Sequence, residues 1–260
     1  METVEIKRKK LSIIIPAYNE EARIGKVLKD YSTFFNNIEI FVAIAGKDGT
    51  LDIVKKFSEN SNGNSIKYFH SEKRLGKGMG LLNSFDRVNG DIIAITDSDG
   101  STSPSELYKL VNQLDGCDCI IGSRWLPGSK ILIKQPLKRR VASRCFNYMV
   151  RYLLDIPFRD TQCGAKVFRK EAIKYATDRI STYDYAFDID LLYQLHKNGF
   201  KIKEVPMTWN DEDGSSVKLF RTSIMMFLSV VRLRMINSNF RFLVKNNLVG
   251  CMYEYMKGQK

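Results

Sequence analysis

Strand-length apolar runs that alternate with helical periodicity constrain this chain most. Residues 11–15, 38–45, 66–70, 91–96 and 119–122 are short and rich in apolar residues, Ile above all, as buried strands are. Between them, residues 19–35, 51–59, 78–88 and 105–114 repeat apolar positions at helical spacing. Pro16 reads as the stop of the first strand, and Pro104 with Glu106 as the start of the fourth helix. This order predicts an α/β fold, a mostly parallel sheet with helices on both faces. Further on, residues 165–168 and 200–205 read as strands and residues 185–197 as a helix.

The fourth strand raises a chemical question, because it ends in Asp97-Ser98-Asp99-Gly100. Asp, Ser and Gly are turn formers, so a plain loop accounts for the cluster. Two carboxylates at the carboxyl end of a strand also supply hard oxygen ligands for Mg²⁺ or Mn²⁺, at the edge where open α/β sheets bind their ligands. The residues alone leave both readings open.

Composition narrows the partners. A chain of 260 residues, 44% of them hydrophobic, suits one large α/β domain with or without an appendage. The formal net charge of +12 and pI of about 9.4 call for an anionic partner: nucleic acid, an anionic membrane surface or a phosphorylated substrate. Five scattered cysteines argue against a disulfide framework, and two histidines form no zinc pattern. No apolar stretch of signal length follows the basic N-terminus, and no window reaches the roughly 18 apolar residues that span a bilayer. A protein made and kept in the cytosol, able to lie on a membrane, is expected.

Two stretches bear on such a membrane. Residues 124–151 contain Arg124, Lys130, Lys134, Lys138, Arg139, Arg140, Arg144 and Arg151 and no acid. Within and just beyond them, Leu137, Val141, Cys145, Tyr148 and Tyr152 recur at helical spacing. A solvated helix face has this look too, but an acid-free basic stretch beside apolar positions fits anionic lipid or a phosphate ligand better. Residues 223–236 are apolar but short, suited to a core helix or to one lying in the membrane interface.

Five segments in order carry a resemblance: LSIIIPAYNEEARIGKVL from residue 11, LGKGMG at 75–80, DSDGS at 97–101, IIGSR at 120–124 and DTQCGAKVF at 160–168. Together they resemble family 2 glycosyltransferases with the GT-A fold, and more narrowly the polyprenyl-phosphate (dolichyl-phosphate) hexosyltransferases, nearest the dolichyl-phosphate glucose synthase type. The similarity runs from residue 11 to about 218. It implies a transferase domain over residues 1–218, with 124–157 as a basic acceptor and membrane segment and 219–260 as a C-terminal amphipathic helical segment without a transmembrane helix. The implied reaction moves a hexose from a nucleotide-sugar to a lipid phosphate with inversion, using Mg²⁺ or Mn²⁺, at the cytoplasmic face of a membrane.

The same resemblance distributes the roles. Pro16, Ala17, Tyr18, Glu20, Lys77, Asp97 and Lys218 fall to the nucleotide-sugar. Asp97 and Asp99 fall to the metal, with Asp99 the more direct ligand. Arg124, Arg139 and Ser143 fall to the acceptor phosphate, and Asp99, Asp160 and Gln162 to the reacting centre. Because a phosphate monoester is largely ionised near neutral pH, Asp160 is expected to position groups rather than to abstract a proton. The same two anionic substrates account for the basic stretch, since each needs neutralising cations and Arg matches phosphate with its forked donors.

One departure concerns the base. Many family members carry Asp-Asp-Gly-Ser after the second strand, whereas this chain has Ala43-Ile44-Ala45-Gly46 followed by KDGT. Asp48 therefore reads as a turn or helix-cap residue. Ser101, where mannosyl members usually carry Gln, favours UDP-glucose over GDP-mannose. A saccharide acceptor is the enzymatic alternative. A basic nucleic-acid-binding protein is the non-enzymatic one, disfavoured because the strand-end aspartates would repel nucleic acid. Cys163 reads as a packed thiol, since no histidine lies near it in sequence. GKGMG has neither Walker nor dinucleotide spacing. Asp188 and Asp190 fit either the acceptor region or the start of a helix.

Overall fold

The computed structural model describes residues 4–5, 9–60, 63–133, 137–184, 186–210 and 219–238, with 4–5, 138–139 and 219–223 described by backbone alone. The first half runs β1 (Val4–Glu5), β2 (Leu11–Tyr18), α1 (Ile24–Phe34), β3 (Phe35–Asn36), β4 (Glu39–Ala45), α2 (Thr50–Glu59), β5 (Ser65–Ser71), α3 (Lys77–Phe85) and β6 (Ile92–Ile95). The second runs α4 (Pro104–Asn112), β7 (Cys119–Ser123), β8 (Lys130–Ile131), α5 (Leu137–Leu154), β9 (Lys166–Arg169), α6 (Lys170–Thr177), α7 (Phe187–Lys197), β10 (Ile202–Pro206), β11 (Thr208–Trp209) and α8 (Leu219–Ile236).

Seven strands form one sheet in the order β10-β7-β9-β6-β2-β4-β5. All neighbours are parallel except β9, which runs antiparallel to both β6 and β7. Ile13, Ile14, Ile15, Ile40, Val42 and Ile95 are fully buried, so successive residues on both faces of the central strands are covered. α1 packs with α2 and α4, and α3 packs with α6 and α7, giving two helix groups for the two faces.

Two expectations are corrected. β2 does not stop at Pro16 but runs through it to Tyr18. Its ladder with β6 covers only Leu11 to Ile14, while its ladder with β4 continues to Tyr18. Thr96 N–H donates to Ile14 O, so Pro16, two residues on, faces the β6 side beyond the end of that ladder. A missing N–H costs no sheet bond there. The second correction is α6, an eight-residue helix that begins directly after β9 and was not foreseen.

α5 and α8 pack on each other. α5 buries Val150 and Leu154, and α8 buries Val230 and Leu233. Leu137, Val141, Tyr148 and Tyr152 of α5 remain exposed, as do Ile224 and Phe227 of α8. Among the described residues no helix is long and apolar enough to cross a membrane.

Candidate active site

Strand β6 delivers Asp97 and Asp99 to the carboxyl edge of the sheet, and Gly100, at φ +80°, turns the chain away into α4. Ser101 N–H donates to Asp99 Oδ1 at 2.9 Å, and its hydroxyl donates to the same oxygen. Burial and the adjacent Asp97 charge hold the Asp99 carboxyl above its ordinary value, against the bonds from Ser101. Two crowded carboxylates of this kind fit a divalent cation. Among the described residues there is no group of three or more His, Cys, Asp or Glu that could hold a metal. Among the described residues this edge thus offers two carboxylates, and a six-coordinate cation would draw its other oxygens from substrate and water.

Lys77, at the start of α3, reaches this edge and binds Asp97 at 2.9 Å. Burial opposes its charge, but Asp188 and Asp97 raise the ammonium's pKa above the usual lysine value. Asp97 also packs against Gly164, where any Cβ would collide with its carboxylate. The motif DTQCG quotes Gly164, yet the need for glycine there appears only once β9 lies beside β6. Gly164→Ala is expected to displace Asp97, costing about 1–3 kcal/mol of stability from overpacking and at least a tenfold drop in turnover, on the order of the cost of a misplaced catalytic group. Denaturant unfolding and initial rates on the purified variant check both.

Within electrostatic reach of Asp97, Asp160 and Arg124 form one unit. Arg124 donates from Nε at 2.8 Å and from a terminal nitrogen at 2.8 Å to the two carboxylate oxygens, and its backbone N–H adds a bond at 2.9 Å. Asp160 is buried, and its own N–H is held by Glu204 of β10 at 2.9 Å. Burial opposes the Arg124 charge, but Asp160 reverses this and holds the guanidinium more firmly protonated than usual. The guanidinium also lies 5.0 Å from the centre of the Trp209 ring. Sequence assigned these two residues to separate jobs, and the fold makes each the other's partner.

The remaining expected residues belong to several different elements. Pro16 and Ala17 are paired with Ala43 and Ile44 inside the sheet, while Tyr18 is exposed with the Arg74 guanidinium 4.7 Å from its ring. Glu20 pairs with Arg23 at 2.7 Å. Asp48 accepts N–H bonds from Glu21 and Thr50 at 3.1 and 3.2 Å, so it fixes the turn into α2. Despite desolvation, these bonds hold its carboxyl below the ordinary value. At the end of the neighbouring strand, His70 Nε2 lies 3.0 Å from Gly46 O. Gln162 follows the Arg124–Asp160 unit by sequence, and Ser143 is half-buried on α5. Arg139 is described by backbone alone, and Lys218 lies outside the described residues.

Sequence reasoning missed Lys166. This β9 lysine is fully buried and binds Asp188 at 2.7 Å, and Asp188 in turn lies 3.4 Å from Lys77.

A family model described as glycosyl transferase family 2 matches residues 12–176. The chain belongs to glycosyl transferase family 2. Among its relatives in the family, Glycosyltransferase AglD of Haloferax volcanii is 30% identical over 85% of this chain. The chain spans only 36% of that relative's length. The Dolichyl-phosphate beta-glucosyltransferase of Dictyostelium discoideum is 29% identical over 90% of this chain and 75% of its own length. The solved glucosyl-3-phosphoglycerate synthase of Mycobacterium tuberculosis, in complex with Mn²⁺, UDP-glucose and glycerol 3-phosphate, superposes with a TM-score of 0.65. It is 18% identical and covers 89% of this chain and 82% of its own. That likeness shows the fold of this family 2 enzyme, a GT-A α/β sheet flanked by helices.

Proposed function

We propose that this glycosyltransferase moves a hexose, glucose from UDP-glucose, onto a polyprenyl or dolichyl phosphate, at the cytoplasmic face of a membrane. Residues 1–218 act as the transferase domain and 219–260 as a C-terminal segment, of which α8 spans Leu219–Ile236 and residues 239–260 lie outside the described residues. The observation that carries the acceptor is α5. Arg144 stacks on Trp125 and Tyr148, 5.0 and 5.1 Å from their ring centres, and Arg151 lies 5.8 Å from Tyr148. Beside this cation–aromatic column stand the exposed Leu137, Val141 and Tyr152. Such a face suits an anionic, lipid-bearing partner, with aromatics at headgroup level and aliphatic side chains below. A free sugar acceptor gives no reason for it. The name of the Dictyostelium relative points the same way.

In the reaction, an ionised acceptor oxygen forms a bond to the anomeric carbon as the bond from that carbon to the diphosphate breaks, with inversion. The electron pair and the negative charge leave on the nucleoside diphosphate. Asp97 and Asp99 would hold Mg²⁺ or Mn²⁺, which would supply Lewis-acid neutralisation of that leaving group. Lys77 adds a fixed ammonium, which acts in the same direction. Arg124 meets the acceptor phosphate, with Arg139 and Ser143 beside it. Asp160 holds the Arg124 fork in plane and needs no proton of its own, since the acceptor arrives ionised. Gln162 lines the same centre. Tyr18 and Glu20, next to Pro16 and Ala17, line the nucleoside side, and Lys218 joins the diphosphate.

A product assay tests this. The protein is incubated with Mn²⁺, a polyprenyl phosphate and a panel of UDP- and GDP-hexoses, and the lipid fraction is analysed by mass spectrometry. A glucosyl phospholipid from UDP-glucose is expected. A mannosyl product from GDP-mannose would change the donor, and transfer only to a soluble phosphorylated or saccharide acceptor would overturn the lipid reading.

A further inference from the structure

The two aspartates of FDID in α7 have different fates. Asp190 accepts from Ser181 and Thr182 N–H at 2.7 and 3.0 Å and pins the chain entering the helix. Asp188 has no such task. It is buried, 4% exposed, between two lysines from separate elements: Lys166 of β9 at 2.7 Å and Lys77 of α3 at 3.4 Å. Lys77 in turn binds Asp97 at 2.9 Å. Charges of alternating sign thus run from the fully buried Lys166 through Asp188 and Lys77 to the carboxylate that ends β6.

A buried ion pair is weak evidence of a stability role, because an apolar pair of like volume often serves a core as well or better. The third member of the row gives the pair a purpose. Asp97 is asked to do two things in the proposed reaction, to hold a cation and to bind Lys77. An ammonium on four rotatable bonds, released by Asp97, regains its rotamer freedom and strays into solvent unless another acceptor keeps it.

We propose that Asp188 is a positioning residue that keeps the Lys77 ammonium at the sheet edge when Asp97 turns to its other partner, so that the ammonium meets the departing diphosphate. This inference rests on the donor reading above. Asp188 is suited to the task because, although burial raises its pKa, Lys166 and Lys77 bring it below the ordinary value and keep it ionised. Lys166 fixes Asp188, and Asp188 fixes Lys77.

The interaction strengthens as charge develops on the leaving group, so its loss falls on kcat more than on KM. Asp188→Asn keeps the shape and one acceptor oxygen but removes the charge. In Mn²⁺ buffer, kcat with UDP-glucose is expected to fall about 10- to 100-fold, the scale of one misplaced catalytic group, with the donor KM nearly unchanged. Calorimetric affinity for UDP, which carries the fully developed charge, is expected to fall about tenfold, roughly the worth of one charge-assisted bond. A second variant separates positioning from folding. Lys166→Met/Asp188→Leu replaces the buried pair with apolar side chains and is expected to regain thermal stability while kcat stays low. Normal kcat and UDP affinity in that variant, or in Asp188→Asn, would overturn the inference and leave the donor reading standing. A wild-type protein that binds no UDP and transfers from no donor would overturn the donor reading, and the inference with it.

Discussion

Asp99→Asn is expected to lower hexose transfer by at least about 10³-fold, the scale seen when a preorganised charge-stabilising group is removed, while the unfolding temperature holds or rises slightly. The two effects have one cause. Asp99 places a second carboxylate beside Asp97 on a turn that is largely out of solvent, and that crowding costs the empty protein stability. Asparagine removes the repulsion and keeps an oxygen for the Ser101 N–H and hydroxyl that now meet Asp99 Oδ1. It also removes half of the anionic donor set a divalent cation requires. A binding group placed for function and against stability therefore shows itself by opposite changes in the two measurements. Initial rates with UDP-glucose and Mn²⁺, beside a thermal melt, check both. Near-normal turnover would sink the metal argument, and a large drop in melting temperature would mean that Asp99 mainly serves the turn.

What the sequence disclosed here was local. Ile-rich strands, the DSDG end of β6 and the Pro104 start of α4 declare themselves within a few residues, and the fold places them where their chemistry predicts. Ser103 even caps α4 as its type suggests, accepting the Glu106 N–H at 3.3 Å. What stayed hidden depends on pairing across long separations. Nothing in AKVF tells a strand its direction, so the antiparallel insertion of β9 between β6 and β7 was illegible. That insertion creates most of the unforeseen site. It carries the preceding segment alongside Asp97, bringing Gly164 there, and it buries Lys166 beneath α7. Arg124 and Asp160 lie 36 positions apart and look like independent cations and acids until β7 sets them side by side. Pro16 misled for the opposite reason. Its local rule was sound, but β6 ends before the ladder bond that Pro16 lacks would be needed.

Lys166→Met should be the most destabilising of the charge changes, by about 3–5 kcal/mol, the range found when one partner of a buried ion pair is removed. In a chain of this size that is a fall of roughly 6–20 °C in melting temperature. Lys166 is fully buried, and its ammonium binds both Asp188 and the Cys163 carbonyl. Methionine fills the same volume with no strain, so the penalty is not a cavity. It arises from Asp188, which keeps only the more distant Lys77 at 3.4 Å as a counter-charge. The comparison that decides the cause is Lys166→Met against Lys166→Met/Asp188→Leu. If the orphaned carboxylate is the cost, the double variant is more stable than the single one, although it carries one more core substitution. If packing around β9 is the cost, the second change adds to the first. Denaturant unfolding of the three proteins at neutral pH distinguishes these outcomes, and recovery in the double variant would identify Asp188 as a carboxylate that the fold neutralises rather than one it needs for stability.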